Sequence, residues 1–365
     1  MRTIGVEEEL LLVHAETGAP VAAAPRILGG ATHAEAPALE AELQQEMLEV
    51  VGPVCRTLDE LARGVDEGRR RADESARAWG TRAVPLATSP LPVVPHHSAA
   101  PRYREMTRRY GVTARRTLTC GFHVHVSIAS EAEGVGALDR LREWLPILLA
   151  FSSNSPFWDG VDTGYASYRS DVWSRWPCAG PNPVFGSVAR YREHERETLA
   201  TGTLLDAGML YFDARLSRHQ PTLEIRIADI CREQDDAVTL AALGRALVET
   251  AAEEWRRGVP AQSTDERLLR LAGWRAAMSG VRGELVHPIT GRPCSAAEAA
   301  RALLDHVRPA LVAAGDLGRV ESGLAAVLER GTGADRQRAD LARRGRLVDV
   351  ALGAARRAED APVLT

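Results

Sequence analysis

Apolar and polar positions alternate most cleanly in three segments. Residues 3–13 (TIGVEEELLLV) read as a strand rich in Val, Ile and Leu. Residues 117–128 (TLTCGFHVHVSI) carry the clearest two-residue period, and 208–229 hold two further strands, MLYFDAR and TLEIRIAD. RAVPLA at 82–87 predicts another strand. Residues 42–51 (ELQQEMLEVV) fit a strand or a helix. Helical spacing runs through 55–79 on Leu58, Leu61 and Val65, and helices are expected at 135–151 and 188–201. From 233 onward nearly everything reads as helix, at 235–257, 264–278, 295–314 and about 335–357. Residues 20–40 look like an irregular loop with room for a short element, and PLPVVPHH at 90–97 like a proline-rich surface loop. Strands in the first two thirds followed by a helical last third predict an α+β fold without internal repeats. The aperiodic stretch 152–187 is long for a connection inside a compact chain. Its Trp158, Tyr165, Tyr168, Trp173 and Trp176 point to an ordered binding loop.

Period two also sorts the ionisable residues, because successive strand side chains point to opposite faces. Glu7 and Glu9 share a face, with Val6, Glu8 and Leu10 on the other. His123 and His125 share a face with Gly121 and Ser127, backed by Phe122, Val124, Val126 and Ile128. Glu224 and Arg226 share a face backed by Leu223, Ile225 and Ile227. Three strands thus each carry ionisable residues two apart over an apolar back. Clustered carboxylates repel one another unless cations neutralise them. Magnesium takes hard oxygen ligands and often bridges protein carboxylates to phosphates, so glutamates with a histidine and an arginine make a bed for Mg-ATP. Each pattern alone also fits a simpler state. These are a solvated strand face for Glu7 and Glu9, a zinc pair for H-V-H, and a surface ion pair for Glu224 and Arg226.

Composition narrows the chemistry. The 365 residues contain 45 basic side chains, all arginine; there is no lysine, which excludes Schiff-base lysines and phosphate-loop lysines. Any phosphate must be neutralised by arginine or metal. The net charge of −4 argues against general nucleic-acid binding. Five cysteines without a C-x-x-C pair suit reduced thiols, hence a cytoplasmic setting. The acidic start does not fit a secretory signal, and no apolar run approaches the ~18 residues of a membrane span.

The stretches IGVEEELLLV, ELQQEMLEVVGPV (42–54), GFHVHVSI (121–128), NSPFWDGVDTGYASYRSDVWSRWPCAGP (154–181), PTLEIRIADI (221–230) and GTGADRQR (331–338) together resemble the glutamate–cysteine ligase type 2 family, in its bacterial carboxylate–amine ligase subgroup. The resemblance spans nearly the whole chain and implies a single domain over 1–365. It also implies a curved, mostly antiparallel sheet with helices outside, like the catalytic domain of glutamine synthetase. The implied reaction uses ATP with Mg²⁺ (or Mn²⁺) to turn a carboxylate, such as the γ-carboxylate of glutamate, into an acyl phosphate. Cysteine or another amine then attacks it. By motif, Glu7, Glu9, Glu49, His123 and Glu224 take metal positions, with Glu49 also catalytic, and Arg226 contacts the transferring phosphate. Glu49 favours the strand reading of 42–51, with Gln45, Met47 and Glu49 on one face.

A loop that keeps water from the acyl phosphate is expected, and Asp162–Pro181 is the candidate. Tyr165, Tyr168, Arg169 and Arg215 are the expected substrate contacts, and Arg336 is expected at ATP. Where the family has a Trp-Asp-Val/Ile-Arg stretch, this chain has Phe212-Asp213-Ala214-Arg215. Cys178 stands where a small residue is usual, as a pocket thiol or an inert one. The resemblance further implies a homodimer acting on small molecules, while charge and hydropathy lead to the expectation of no nucleic-acid or membrane partner. Two alternatives stay open: a zinc-dependent hydrolase built on His123 and His125, and a non-catalytic homologue.

Overall fold

The computed structural model describes residues 1–30 and 37–357. Its centre is a seven-stranded antiparallel sheet ordered β2-β3-β1-β5-β9-β8. These are β1 (Ile4–His14), β2 (Ala38–Ala41), β3 (Met47–Val51), β5 (Gly121–Ser127), β8 (Ala214–Leu216) and β9 (Thr222–Asp229). The seventh, β4 (Thr81–Val84), pairs with β1 from Leu11 to His14, beyond the stretch of β1 that β3 covers. Two small hairpins lie outside this sheet: β6 (Phe157–Trp158) with β7 (Val161–Asp162), and β10 (Glu284–Val286) with β11 (Pro293–Ser295).

The apolar face of the sheet seats the helices. Val6, Phe122, Val124, Val126, Leu223 and Ile225 are buried in one cluster with side chains of helices Glu131–Leu141, Leu145–Ser152 and Gln234–Arg256. The last of these is buried on most sides, so it reads as a core helix. Helix Leu58–Arg77 starts at a capping box between Thr57 and Glu60 and buries Leu58, Leu61, Ala62 and Val65. A second cluster joins Leu10–Val13 to Val84 and to Ala351, Ala354 and Ala355 of helix Leu347–Arg357. The α+β reading, an antiparallel sheet with helices packed outside, holds.

Differences lie at element ends and in helices outside the predicted spans. The segment 42–51 resolves as strand, but only from Met47 to Val51. Helix Ala24–Gly30 and β2 occupy parts of the expected loop 20–40, whose residues 31–36 lie outside the described residues. The apolar helix at 135–151 is two helices joined by a 3₁₀ turn at Arg142–Trp144, where Pro146 in the first turn of the second helix lacks a donor for the preceding turn. MLYFDAR contributes only the short β8, after a 3₁₀ turn at Ala207–Met209. The predicted helix at 335–357 divides into Gly333–Arg344 and Leu347–Arg357 at Gly345, whose φ of 78° ends the first. Helix Leu317–Arg330 was not among the predicted spans.

Candidate active site

Cross-strand register turns the period-two pattern into one continuous polar surface. Glu9 faces Glu49, which also faces Glu40 on its other side. Glu7 faces His123, His125 faces Glu224, and Glu224 faces Arg215. Six neighbouring strands therefore present ionisable groups on one face, and these line a cavity of about 430 Å³. Glu8 points the other way, is buried, and pairs with Arg69 at 2.6 Å.

Glu7 is the hub. One carboxylate oxygen lies 3.0 Å from Nδ1 of His123 and the other 3.2 Å from Nε2 of His125. Burial opposes its ionisation, but hydrogen bonds and attraction from both histidines outweigh burial and hold its pKa below the ordinary carboxylate range. Burial and the neighbouring Arg226 keep His123 below its usual value, in the neutral form that can ligate a metal. Glu224 accepts from Arg215 Nε at 2.7 Å and from Arg226 Nη1. Burial again opposes its ionisation, and Arg226 and Arg215 reverse the balance, so its pKa is lowered.

Glu42 and Glu49 are opposite cases. Burial pushes Glu42 up to about 8, with Glu9 adding to the effect, and burial followed by repulsion from Glu42, Glu7 and Glu9 raises Glu49 well above its ordinary value. Three groupings bring ligand atoms within 4.8 Å of one another: Glu7, Glu49 and His123; Glu7, His125 and Glu224; and Glu9, Glu42 and Glu49. Such donors, mostly carboxylate oxygen and in part acting against their own repulsion, fit hard divalent cations such as Mg²⁺. Among the described residues no such grouping contains both histidines; each of them joins Glu7 in a grouping of its own.

Arg215 lies on this face with its guanidinium on Glu224, and Trp173 and Trp176 of the 152–187 segment reach the same cavity. Arg169 and Tyr165 line a second cavity of about 240 Å³, which shares Trp173 and Arg226 with the first. Tyr168 lines neither; its ring packs edge-on to Tyr165, and its hydroxyl accepts from Arg175. Arg336 also lies outside both linings, 3.8 Å from Glu233. Its neighbours act on the loop instead: Gln337 donates to Asn154, and Arg338 grips Asp162 and the Tyr165 carbonyl. Cys178 is half-buried and lines neither cavity.

Residues that sequence reasoning missed are Glu42, Arg102, Tyr103 and Tyr211 in the first cavity and Asp213 and Arg270 in the second. Glu42 sits in the link between β2 and β3, where strand alternation is broken and gives no signal.

The model of glutamate–cysteine ligase family 2 matches residues 3–353. A Paenarthrobacter aurescens protein named "Putative glutamate–cysteine ligase 2-1" is 50% identical over 357 residues, covering 96% of this chain and 93% of its own length. A Streptomyces coelicolor protein named "Putative glutamate–cysteine ligase 2" is 48% identical over 363 residues, covering 99% and 100%. Among solved structures, a Francisella tularensis glutamate–cysteine ligase in complex with AMP superposes with a TM-score of 0.71 at 14% identity, covering 98% of this chain and 88% of that one, a likeness of fold. No helix among the described residues is long and apolar enough to cross a membrane. With a match along almost its entire length and relatives near half identity, the chain belongs to glutamate–cysteine ligase family 2, a family of enzymes that form carbon–nitrogen bonds.

Proposed function

We propose that this protein is an ATP- and Mg²⁺-dependent carboxylate–amine ligase acting through an acyl phosphate, with the γ-carboxylate of glutamate as the activated group and an amino acid or other amine as the acceptor. The observation that carries this reading is the sharing of Glu7 and Glu49 between groupings of oxygen-rich ligands on one sheet face, with Arg226 at its edge. Divalent cations there would be held by Glu7, Glu9, Glu49, His123 and Glu224, with Glu42 as a further donor. They would supply charge neutralisation between the incoming carboxylate and the γ-phosphate. Bound AMP in the Francisella tularensis enzyme of like fold supports a nucleotide here.

The chain's own residues do the positioning. Arg226 is held on Glu224 and faces both cavities, so its guanidinium is suited to the transferring phosphoryl group. Arg215 fixes the other edge of Glu224 and keeps it ionised. Trp173 and Trp176, on the expected covering loop, form apolar wall where water must be kept from the acyl phosphate.

The test is ADP release with Mg²⁺ over pairs of amino acids and amines, in the wild type and in Glu49→Gln and Glu224→Gln. The expected result is turnover with at least one pair and its loss, by about 10³-fold or more, in both variants while they stay folded. Wild-type turnover in either variant removes that residue's metal role. Stoichiometric zinc with no nucleotide binding in the wild type would overturn the ligase reading in favour of a zinc hydrolase.

A further inference from the structure

The second cavity shares Trp173 and Arg226 with the first, and charged side chains enter a lining that also holds Leu149, Phe212, Leu269 and Trp274. Three arginines converge on it. Arg169 lies across the backbone of Gly121, where a Cβ would stand 2.3 Å from its Nη2. Arg270 lies across Gly180 in the same way, 2.9 Å from where a Cβ would be. Arg226 forms the shared wall. The Nε atoms of Arg169 and Arg226 are buried without a hydrogen-bond partner among the described residues, which leaves donor capacity on two of the arginines that line this cavity.

Asp213 stands in this wall beside them, and its main chain is tied to the site: its carbonyl accepts from the Arg226 amide at 2.8 Å. No hydrogen bond to its carboxylate is made by the described residues, although Arg270 and Arg169 attract it. Burial pushes the carboxyl up to about 7, against the pull of those two arginines. The cavity, at about 240 Å³, is smaller than the roughly 300–1,000 Å³ of drug-sized sites and suits a small molecule.

An amine in water is an ammonium, which cannot attack an acyl phosphate until it loses a proton. We propose that Asp213 accepts that proton from the attacking amine, which reaches the acyl phosphate from this second cavity. The step balances. An N–H proton passes from the ammonium to the Asp213 carboxylate, and the freed lone pair bonds to the acyl carbon. The carbon–oxygen bond to phosphate breaks, phosphate leaves with that electron pair, and it takes up the second N–H proton, so the products are a neutral amide and hydrogen phosphate. The surrounding arginines assist, since positive charge disfavours the ammonium form. The charged groups facing Asp213 are Arg270 of helix Glu266–Ser279, Arg169 and Asp171 of helix Tyr168–Trp173, and Arg226 of β9. This inference rests on the ligase reading.

Hydroxylamine separates the two ideas, because it is unprotonated near neutral pH and needs no base. Glutamate, ATP and Mg²⁺ are supplied with hydroxylamine, or with whichever standard amino acid gives the wild type its fastest ADP release. The expected result is that Asp213→Asn keeps hydroxamate formation within about threefold of wild type and loses amide formation by about 10²-fold or more. Asp213→Glu should recover part of it. In the wild type, the rate with the amino acid should rise through about pH 7 while the rate with hydroxylamine does not, a readout that holds even where the Asn variant fails to fold. Equal losses of hydroxamate and amide, or identical pH profiles for the two nucleophiles, would overturn the role of Asp213. Absence of any wild-type hydroxamate would instead overturn the ligase reading, and the inference with it.

Discussion

Glu7, Glu8 and Glu9 are the same side chain three times over, and strand geometry gives them different work. Glu8 is buried against Arg69, while Glu7 and Glu9 face the cavity. Removing one partner of a buried ion pair strands the other charge. Glu8→Gln should therefore cost about 3 kcal/mol in chemical denaturation and leave turnover per folded molecule near wild type. Glu9→Gln should do the reverse, holding stability and losing activity. Asp213 makes a second residue-scale prediction. Its folded pKa of about 7 lies above its unfolded value, so the native state binds the extra proton. The stability this group contributes is full at low pH, declines as pH rises above about 4, and is gone above about 7. Asp213→Asn, free of that loss, should be more stable than wild type by roughly 1–3 kcal/mol at pH 8 and nearly equal to it at pH 4, as urea titrations at the two pH values would reveal.

At the scale of elements, β5 shows what a sequence pattern can and cannot tell. The alternation in GFHVHVSI identified the strand, its apolar back and the cavity-facing side of both histidines, because one face of the sheet is core and the other is site. Gly121 looked like one more small residue on that polar face. Its reason is tertiary: Arg169, from a helix 48 positions later, crosses it on the way to the Arg226 and Ile227 carbonyls. Gly121→Ala must push that guanidinium aside. The expected cost is about 1–3 kcal/mol of stability and on the order of 10²-fold in kcat/KM, whereas Gly291→Ala, on a distant turn, should leave kcat/KM unchanged.

The same reasoning explains the residues that periodicity could not find. Arg270 belongs to a helix whose site-facing side is chosen by packing, and Glu42 to a link with no period. In GTGADRQR the role expected of Arg336 has no counterpart in the cavity linings, whereas Gln337 binds Asn154 beneath the loop. Asn154, Ser155 and Ser167 in turn hold Asp229, 3.7 Å from Arg169. A buried network of this kind leaves only polar letters in a sequence, without spacing.

Across the whole molecule, a face bearing Glu7, Glu9, Glu42, Glu49 and Glu224 is a deliberate concentration of negative charge in a chain whose net charge is only −4. A cation that binds the folded face and not the unfolded chain stabilises the fold by mass action. Adding Mg²⁺ at about a hundred times its dissociation constant should therefore raise the unfolding free energy by about 2.7 kcal/mol, and Glu49→Gln should lose most of that gain without losing the fold. The α+β architecture and most residues of the acidic face were readable because they obey one period on single strands. The second cavity as a whole was not, although Tyr165, Arg169 and Arg226 were named, because it is assembled from three helices, loop segments and β9 that meet only in the folded protein.

The central claim is that this face binds divalent cations for ATP-driven bond formation between a carboxylate and an amine. ADP release with Mg²⁺, scored over amino-acid and amine pairs in wild type, Glu49→Gln and Glu224→Gln, tests it most directly. The account predicts substrate-dependent ADP release by the wild type and none above background in either variant. Turnover that persists in both variants, or that proceeds without nucleotide, would contradict it.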